Sequence, residues 1–359
     1  MLAFLGGLIY LSVVYSLCIF WTSIVSVRTL IRFARNPKRY LYVKPRPDPP
    51  AVLTREFQHG SLLLYNNSIR IHYVEAGDRH RPLLLLVHGF PEFWYSWRHQ
   101  LREFKDDYHV VAIDLRGYGE SSKPKSVSEY SVDHLVEDVR QVVAQLGNGK
   151  CYLAAHDWGG AIAWRFTLKY PEMVNKLIIL NCPHPKAFYD RLFGGSIKQL
   201  LRSWYMFFFQ CPFLPELVFR SNDLKLLIAM LAKPPSGCTN PRALTEEDIE
   251  AWKFTFQQPG ALTPPINFYR ATIGRVPRKE TNAAEQNVGS KKNTPRGIVQ
   301  PPTLIIWGTN DIALETELAH GSLQYCQKGA LRLIEGASHW VQQDRPELCN
   351  QFIRDFLKN

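Results

Sequence analysis

The 359-residue chain predicts an α/β fold with a mostly parallel central sheet, an inserted helical cap and an apolar N-terminal helix. Three observations lead there. Between residues 51 and 182, short apolar runs of strand length alternate with helical segments, the βαβ pattern of a doubly wound sheet. The alternation breaks between Pro183 and about Arg275 and resumes from residue 301. Residues 1–27 contain no charged side chain and are dominated by Leu, Ile, Val, Phe, Trp and Tyr.

That first stretch is long enough to cross a bilayer, whose core of about 30 Å needs about 20 apolar residues as a helix. A cleaved signal peptide calls for a basic start and a small-x-small exit, and neither is clear here. Residues 1–27 are therefore expected to be a single-pass membrane anchor. Positive charge lies only on its C-terminal flank, which places the following domain on the cytosolic side, with the endoplasmic reticulum the expected membrane. The sequon Asn66-Asn67-Ser68 pulls the other way, and glycosylation of Asn66 is left open. Residues 28–50 form a basic and proline-rich linker, stiffened by Lys44-Pro-Arg-Pro-Asp-Pro-Pro50.

The first part of the core, 51–182, opens with Glu56–Leu64 and Ile69–Val74, paired strands around an Asn66-Asn67 turn. Four apolar runs come next as buried parallel strands: Leu83–Val87, Val110–Ile113, Tyr152–Ala155 and Leu177–Leu180. Helical segments such as Val132–Gln145 and Gly160–Lys169 separate them. Residues 183–275, rich in aromatics and helix formers including Trp204-Tyr-Met-Phe-Phe-Phe209, read as the cap. Residues 276–300 are polar and rich in Lys, Asn and Gly, hence an exposed loop. The second part of the core, 301–359, has strands at Thr303–Trp307 and Leu331–Ile334 and a closing helix at Pro346–Leu357.

The formal charge of +11 has to be located before it implies a nucleic-acid partner. Residues 28–46 hold seven basic side chains and no acid, and residues 275–296 hold six basic and two acidic groups. These two segments account for the whole surplus, so the basicity belongs to a flank and a loop and not to a groove. Nucleic acid is not an expected partner. The seven cysteines are scattered, odd in number and without metal-like spacing, so no disulfide, metal or cofactor is called for. Oligomeric state is not legible.

Chemistry concentrates at Cys151-Tyr-Leu-Ala-Ala-His-Asp-Trp-Gly-Gly160. An apolar strand, a sharp turn and small residues opening a helix are the setting of a nucleophile elbow, usually G-x-S-x-G. Here Ala155 takes the first glycine position and Asp157 replaces the serine. Serine attack on a saturated carbon would leave an ether, which water does not readily cleave. A carboxylate leaves an ester, which a second step can open. An aspartate elbow therefore points to displacement at an sp3 carbon, as in opening an epoxide or expelling a halide. Other candidates sit at strand ends as well: His88-Gly-Phe-Pro91, Asp311 within Trp-Gly-Thr-Asn-Asp, and His339 within Gly-Ala-Ser-His-Trp.

From about residue 55 onward the chain resembles the epoxide hydrolases of the α/β-hydrolase superfamily. The segments that carry the likeness are His-Gly-Phe-Pro-Glu-Phe-Trp at 88–94, Asp-Leu-Arg-Gly-Tyr-Gly at 114–119, His-Asp-Trp-Gly-Gly at 156–160 and the two terminal loops. With the apolar N-terminus, the chain looks most similar to the membrane-anchored epoxide hydrolase 3 and 4 group. The resemblance implies an α/β-hydrolase fold and a role for each residue. Asp157 would form an alkyl ester, His339 would activate water against it, and Asp311 would orient the imidazole. Backbone N–H groups of Phe90 and Trp158 would form an oxyanion hole. Tyr205 and Tyr269 would donate to the epoxide oxygen; the match at Tyr205, among other aromatics, leaves a one-turn shift open. Trp94 and Phe208 are expected at the substrate pocket.

Plainer readings stand beside these. An ordinary turn or N-cap aspartate would explain the residue type at 157 but not the strand-His-Asp-Trp-Gly-Gly around it. Asp311 could initiate a turn after Gly308, His339 could be a packed core histidine, and both tyrosines could be cap core. His88, His156 and His184 read as structural. Asn181 stands where some relatives place the acid, but it is uncharged. The implied function is hydrolysis of lipid-type epoxides, such as fatty-acid epoxides, to vicinal diols, with water as the second substrate. The rivals are a haloalkane dehalogenase-like hydrolase, disfavoured by Tyr269 and Phe90-Pro91, and a non-catalytic anchored lipid-binding protein, disfavoured because nucleophile, acid and base positions are all filled.

Overall fold

The computed structural model describes residues 2–65, 68–273 and 297–358. Its first element is helix α1 (Leu2–Arg35), of which Leu11–Arg35 is long and apolar enough to cross a membrane. The polypeptide then enters an eight-stranded sheet of order β1-β2-β4-β3-β5-β6-β7-β8. Strands β1 (Gln58–Leu64) and β2 (Ile69–Ala76) form an antiparallel hairpin, with Leu64 opposite Ile69. The residues expected to make its tip, Asn66 and Asn67, lie outside the described residues. β2 runs antiparallel to β4 (His109–Ile113), and β4 pairs parallel with β3 (Leu83–Val87).

The remaining strands are all parallel: β5 (Cys151–His156), β6 (Val174–Leu180), β7 (Thr303–Gly308) and β8 (Gly329–Ile334). β3, β4 and β7 are buried along their whole length, which is why they read as continuous apolar runs and not as alternating ones. β8 is an edge strand with Arg332 and Leu333 exposed, so only its last residue, Ile334, is buried.

Helices cover both faces. Between β3 and β4 lies α2 (Arg98–Phe104), and between β4 and β5 lies α3 (Val132–Leu146). Leu135, Val136, Val139, Val142 and Val143 give α3 one buried stripe at helical spacing. Asp138 interrupts that stripe, and Arg116 from the loop after β4 meets it with two bonds of 2.8 and 2.6 Å. This bidentate pair fixes the Asp-Leu-Arg-Gly-Tyr-Gly loop on the helix. Asp114 of the same motif is also structural: it accepts from the N–H of Trp94 and bonds the His72 ring at 2.7 Å. α4 (Trp158–Lys169) comes directly after β5.

Among the described residues, six helices separate β6 from β7: α5 (Pro185–Phe193), α6 (Ile197–Arg202), α7 (Trp204–Phe208), α8 (Leu214–Ala232), α9 (Glu246–Gln257) and α10 (Thr263–Ile273). α8 breaks at Ser221–Leu224, where the backbone leaves helical angles. α9 starts with a reciprocal capping box between Thr245 and Asp248. Asp248 also accepts from the hydroxyl of Tyr95 at 2.6 Å, joining this helical layer to the loop after β3. Buried Arg98 adds bonds to the carbonyl of Ala243 and to Gln343.

Most of the loop expected at 276–300 lies outside the described residues. Its last four residues are not a free loop: only Gly297 is exposed, and Val299 is buried and bridges to Cys326. The segment expected to be a linker, 28–50, is helical to Arg35 and again over Pro37–Leu41, and its remainder is irregular but docked. Arg46 bonds Asp223 and Glu250 of the cap at 2.8 and 2.7 Å, and Lys253 joins Asp223 at 2.8 Å. α11 (Glu317–Leu323) and α12 (Pro346–Lys358) complete the chain.

Candidate active site

Five adjacent parallel strands, β3, β5, β6, β7 and β8, end on one side of the sheet. The loops at those ends carry the residues that the sequence singled out. Asp157 sits between β5 and α4 with φ 48° and ψ −120°, a backbone region that side-chain-bearing residues seldom occupy. Three glycines make the bend feasible. A Cβ on Gly89 would collide with the Asp157 side chain, one on Gly159 with the carbonyls of Val87 and His88, and one on Gly160 with Cys182.

The carboxylate of Asp157 is held asymmetrically. Oδ1 accepts from the backbone N–H of Phe90 at 2.8 Å, and Oδ2 lies 3.5 Å from Nε2 of His339. Nδ1 of His339 is 2.6 Å from Oδ2 of Asp311. Asp311 is saturated by donors: Asn181 bonds Oδ2 at 2.8 Å, and the N–H groups of Ala313 and Leu314 bond Oδ1 at 2.7 and 3.0 Å. Nucleophile candidate, imidazole and acid thus form one continuous line.

Burial opposes charge throughout this line, and local partners outweigh it. Burial raises the carboxyl of Asp157, but bonding to His339 and the charge there hold it below its ordinary value. The same contest, won by His339 and Asn181, lowers Asp311. Burial lowers His339, yet the two carboxylates raise it to about 10. The resting imidazole is therefore protonated between two carboxylates.

Behind the line stands a buried carboxylate with every contact satisfied. Glu92 accepts from the N–H of Gly89 and from the side-chain amides of Gln342 and Gln343, each at 2.9 Å. His156 places Nδ1 2.6 Å from Glu92 and donates from Nε2 to the carbonyl of His339 at 2.9 Å. His88 accepts the N–H of Leu115 on Nε2, which leaves its Nδ1–H for the carbonyl of Gly89. Reading His88 and His156 as structural agrees with this. His184 caps α5 and stacks on Tyr325. Sequence reasoning missed Glu92 and the positioning use of Asn181. The signal for Glu92 was its place within His-Gly-Phe-Pro-Glu-Phe-Trp.

In front of Asp157 is a cavity of about 840 Å³, walled by Phe90, Phe208, Phe209, Phe219 and Trp340 among others. Tyr205 and Tyr269 line it with Asp157 and His339, their rings 5.8 Å apart and nearly perpendicular. Burial first, then neighbouring groups including the charge of Asp157, push both phenols up, so both keep their protons. The ring of Trp158 meets that of Tyr269 edge-on at 5.0 Å. Its backbone N–H opens α4, where the first turn's donors have no helical partner. Phe208 lines the cavity. Trp94 does not: it is buried against Phe57 and His59, beside β1. No group of His, Cys, Asp and Glu suited to a metal occurs among the described residues.

Such an arrangement can deliver a carboxylate to a carbon held in the cavity, donate protons from the opposite wall, and keep a base beside the carboxylate. Comparison with known proteins identifies the family. Residues 82–346 match the family model of the alpha/beta hydrolase fold. The human protein named epoxide hydrolase 4 is 41% identical over 358 residues, 99% of this chain and 94% of that protein. The Caenorhabditis elegans protein named epoxide hydrolase 1 is 44% identical over 320 residues, 89% of this chain and 74% of that one. Among solved structures, a mutant epoxide hydrolase from Bacillus megaterium complexed with its product, (R)-3-[1]naphthyloxy-propane-1,2-diol, superposes with a TM-score of 0.70. It is 33% identical, covering 81% of this chain and 98% of the other.

Proposed function

The chain belongs to the epoxide hydrolases of the α/β-hydrolase fold, and from that premise we propose that it converts lipid-type epoxides, fatty-acid epoxides foremost, to vicinal diols through an ester on Asp157. The observation that carries this reading is the unbroken line Asp311–His339–Asp157 facing two tyrosines across an apolar cavity.

In the first step, Oδ2 of Asp157 attacks one ring carbon, forming a C–O bond while the ring C–O bond breaks. The ring oxygen takes negative charge, and the protonated phenols of Tyr205 and Tyr269 donate to it. Phe90 holds Oδ1 throughout, so the carboxylate presents one oxygen and not a rotating pair.

In the second step, water attacks the ester carbonyl. The oxygen that gains charge is Oδ1, with the N–H groups of Phe90 and Trp158 as its donors. Esterification removes one of the two carboxylates that hold the proton on His339. The tyrosine pair, left one proton short by the first step, recovers that proton from the imidazolium, so His339 is neutral when it takes a proton from the attacking water, and Asp311 then stabilises the charge it gains. The expelled alkoxide takes the proton of the carboxylic acid formed on Asp157, which completes the diol and restores the carboxylate beside protonated His339.

A single turnover in ¹⁸O water tests the sequence of steps. Attack at the carbonyl puts the label on Asp157 and leaves the first diol unlabelled; label in the first diol would rule out the ester. The rival displacement, expulsion of halide, is not expected, because two ring-oxygen donors serve no purpose there.

Residues 1–27 are proposed to be retained as a single-pass anchor, with the catalytic domain on the cytosolic side of the endoplasmic reticulum. Support comes from an apolar helix leading into the basic run Arg28–Arg46.

A further inference from the structure

The N-terminal helix does more than lead away from the domain. Val14, Leu17, Cys18, Trp21 and Val25 recur at three- and four-residue spacing and pack against the core, so they share one face of α1. The ring of Trp21 meets that of Trp204 in α7 with centroids 5.7 Å apart. Along the same face, Val25, Arg28, Thr29 and Arg32 line the cavity that holds Asp157, Tyr205 and His339. A helix apolar enough to sit in lipid therefore forms part of the wall of the catalytic cavity.

Among the described residues, four side chains of fixed positive charge line that cavity: Arg28, Arg32, Lys198 and Arg202. Lys198 faces Glu315 at 3.8 Å, and Arg202 donates to the carbonyls of Asp311 and Leu314 at 2.9 and 3.1 Å. Arg28 and Arg32 are exposed and one helical turn apart, and their guanidinium groups make no hydrogen bond or ion pair among the described residues. Asp157 is the one carboxylate in the cavity lining among those residues. The cavity thus has a polarity: its floor repels an anion and its mouth attracts one. Exposed Ile197 and Leu201 of α6 flank the same mouth, and the arginines stand where the apolar stretch of α1 gives way to the basic run, which in the proposed topology is the depth of lipid head groups.

We propose that Arg28 and Arg32 form a seat for the carboxylate of a long-chain ligand, whose apolar body lies in the cavity with the carboxylate kept away from Asp157. The proposal rests on the epoxide-hydrolase reading for the use of the cavity, and it assigns a substrate-recognition role to the anchor helix. A bidentate guanidinium–carboxylate contact is the chemistry of recognition. The phosphate of a bilayer lipid is the other source of an anion at this depth, since Arg32 also borders a cleft with Arg35, Arg39 and Lys225.

The full chain in phosphatidylcholine vesicles, titrated with oleate and with methyl oleate, provides the test. Trp204 and Trp340 line the cavity, so intrinsic fluorescence reports occupancy. Oleate is expected to bind about tenfold more tightly than its methyl ester, and the ratio to fall to about one in R28A/R32A and to recover in part in R28K/R32K. A ratio near one in the unaltered chain, or one that survives the double substitution, overturns the seat. Vesicles containing phosphatidylglycerol separate the two anion sources: a double variant whose tryptophan emission no longer responds to phosphatidylglycerol yet keeps its oleate preference assigns the arginines to head groups and also overturns it. Neither probe carries an epoxide, so a failure here is distinct from a failure of the ¹⁸O experiment.

Discussion

His339 is the residue on which pH dependence turns. Its folded value is raised to about 10 from an ordinary value near 6.5. A group raised in this way stabilises the fold fully below its unfolded value and loses that contribution as pH climbs through the folded one. Thermal unfolding measured from about pH 6.5 to about pH 10 should therefore show stability falling, and His339→Gln should flatten that slope. The ester intermediate behaves differently, because one of the two carboxylates is then uncharged. Rapid-quench measurement should place the pKa governing ester hydrolysis well below that of the free enzyme, whereas an unchanged value would contradict the assigned sequence of events. Asn181 offers a second check. It bonds Asp311 through its amide N–H and accepts the N–H of Gly308 at 2.9 Å. Asn181→Ala removes a donor to a buried carboxylate, a loss of about 1.5–3 kcal/mol for a charged hydrogen bond. The hydrolysis step should slow by about tenfold or more, with KM changed less than kcat.

At the scale of elements, cohesion between layers depends on a few buried ion pairs. Both side chains of the Arg116–Asp138 pair are 2% exposed. Asp138→Ala leaves the guanidinium without its bidentate partner, which typically costs about 3–5 kcal/mol; Glu129, a second partner of Arg116 at 2.9 Å, limits the damage to the lower end. Denaturant unfolding monitored by circular dichroism would show the shift. Elements were the most legible level of the sequence. The runs that became β3 to β7 were visible because each is largely buried on both faces, so apolar character and strand length coincide. Asp157 and Asp311 were legible because they stand in short loops just past the ends of two such runs, β5 and β7, and His339 follows the less buried edge strand β8. Trp94 was not, since the chemistry of an indole does not reveal which side of a loop it faces. The cap was visible only as a break in alternation; its kink at Ser221–Leu224 answers to contacts from Arg46 and Lys253 on Asp223, which no local pattern announces.

For the molecule as a whole, strand order was not readable from alternation. β4 lies between β2 and β3, and a crossover can carry the chain to either side of its starting strand. Nor was the docking of α1 visible, because an apolar face satisfies lipid and protein equally. This docking joins one face of the helix to the globular unit. Deleting residues 1–36 should leave turnover of a small, water-soluble aryl epoxide detectable while raising KM for long-chain epoxides by about tenfold. Equal losses on both substrates would mean that the truncation damages the fold in general.

The clasp between Arg46 and the two acids of the cap has a mechanical consequence. Whatever holds the amino-terminal helix in place also holds the lid, because a short run of chain and three charged groups couple them. A pull on the amino-terminal helix is thereby passed to the lid through Arg46 as well as through the backbone.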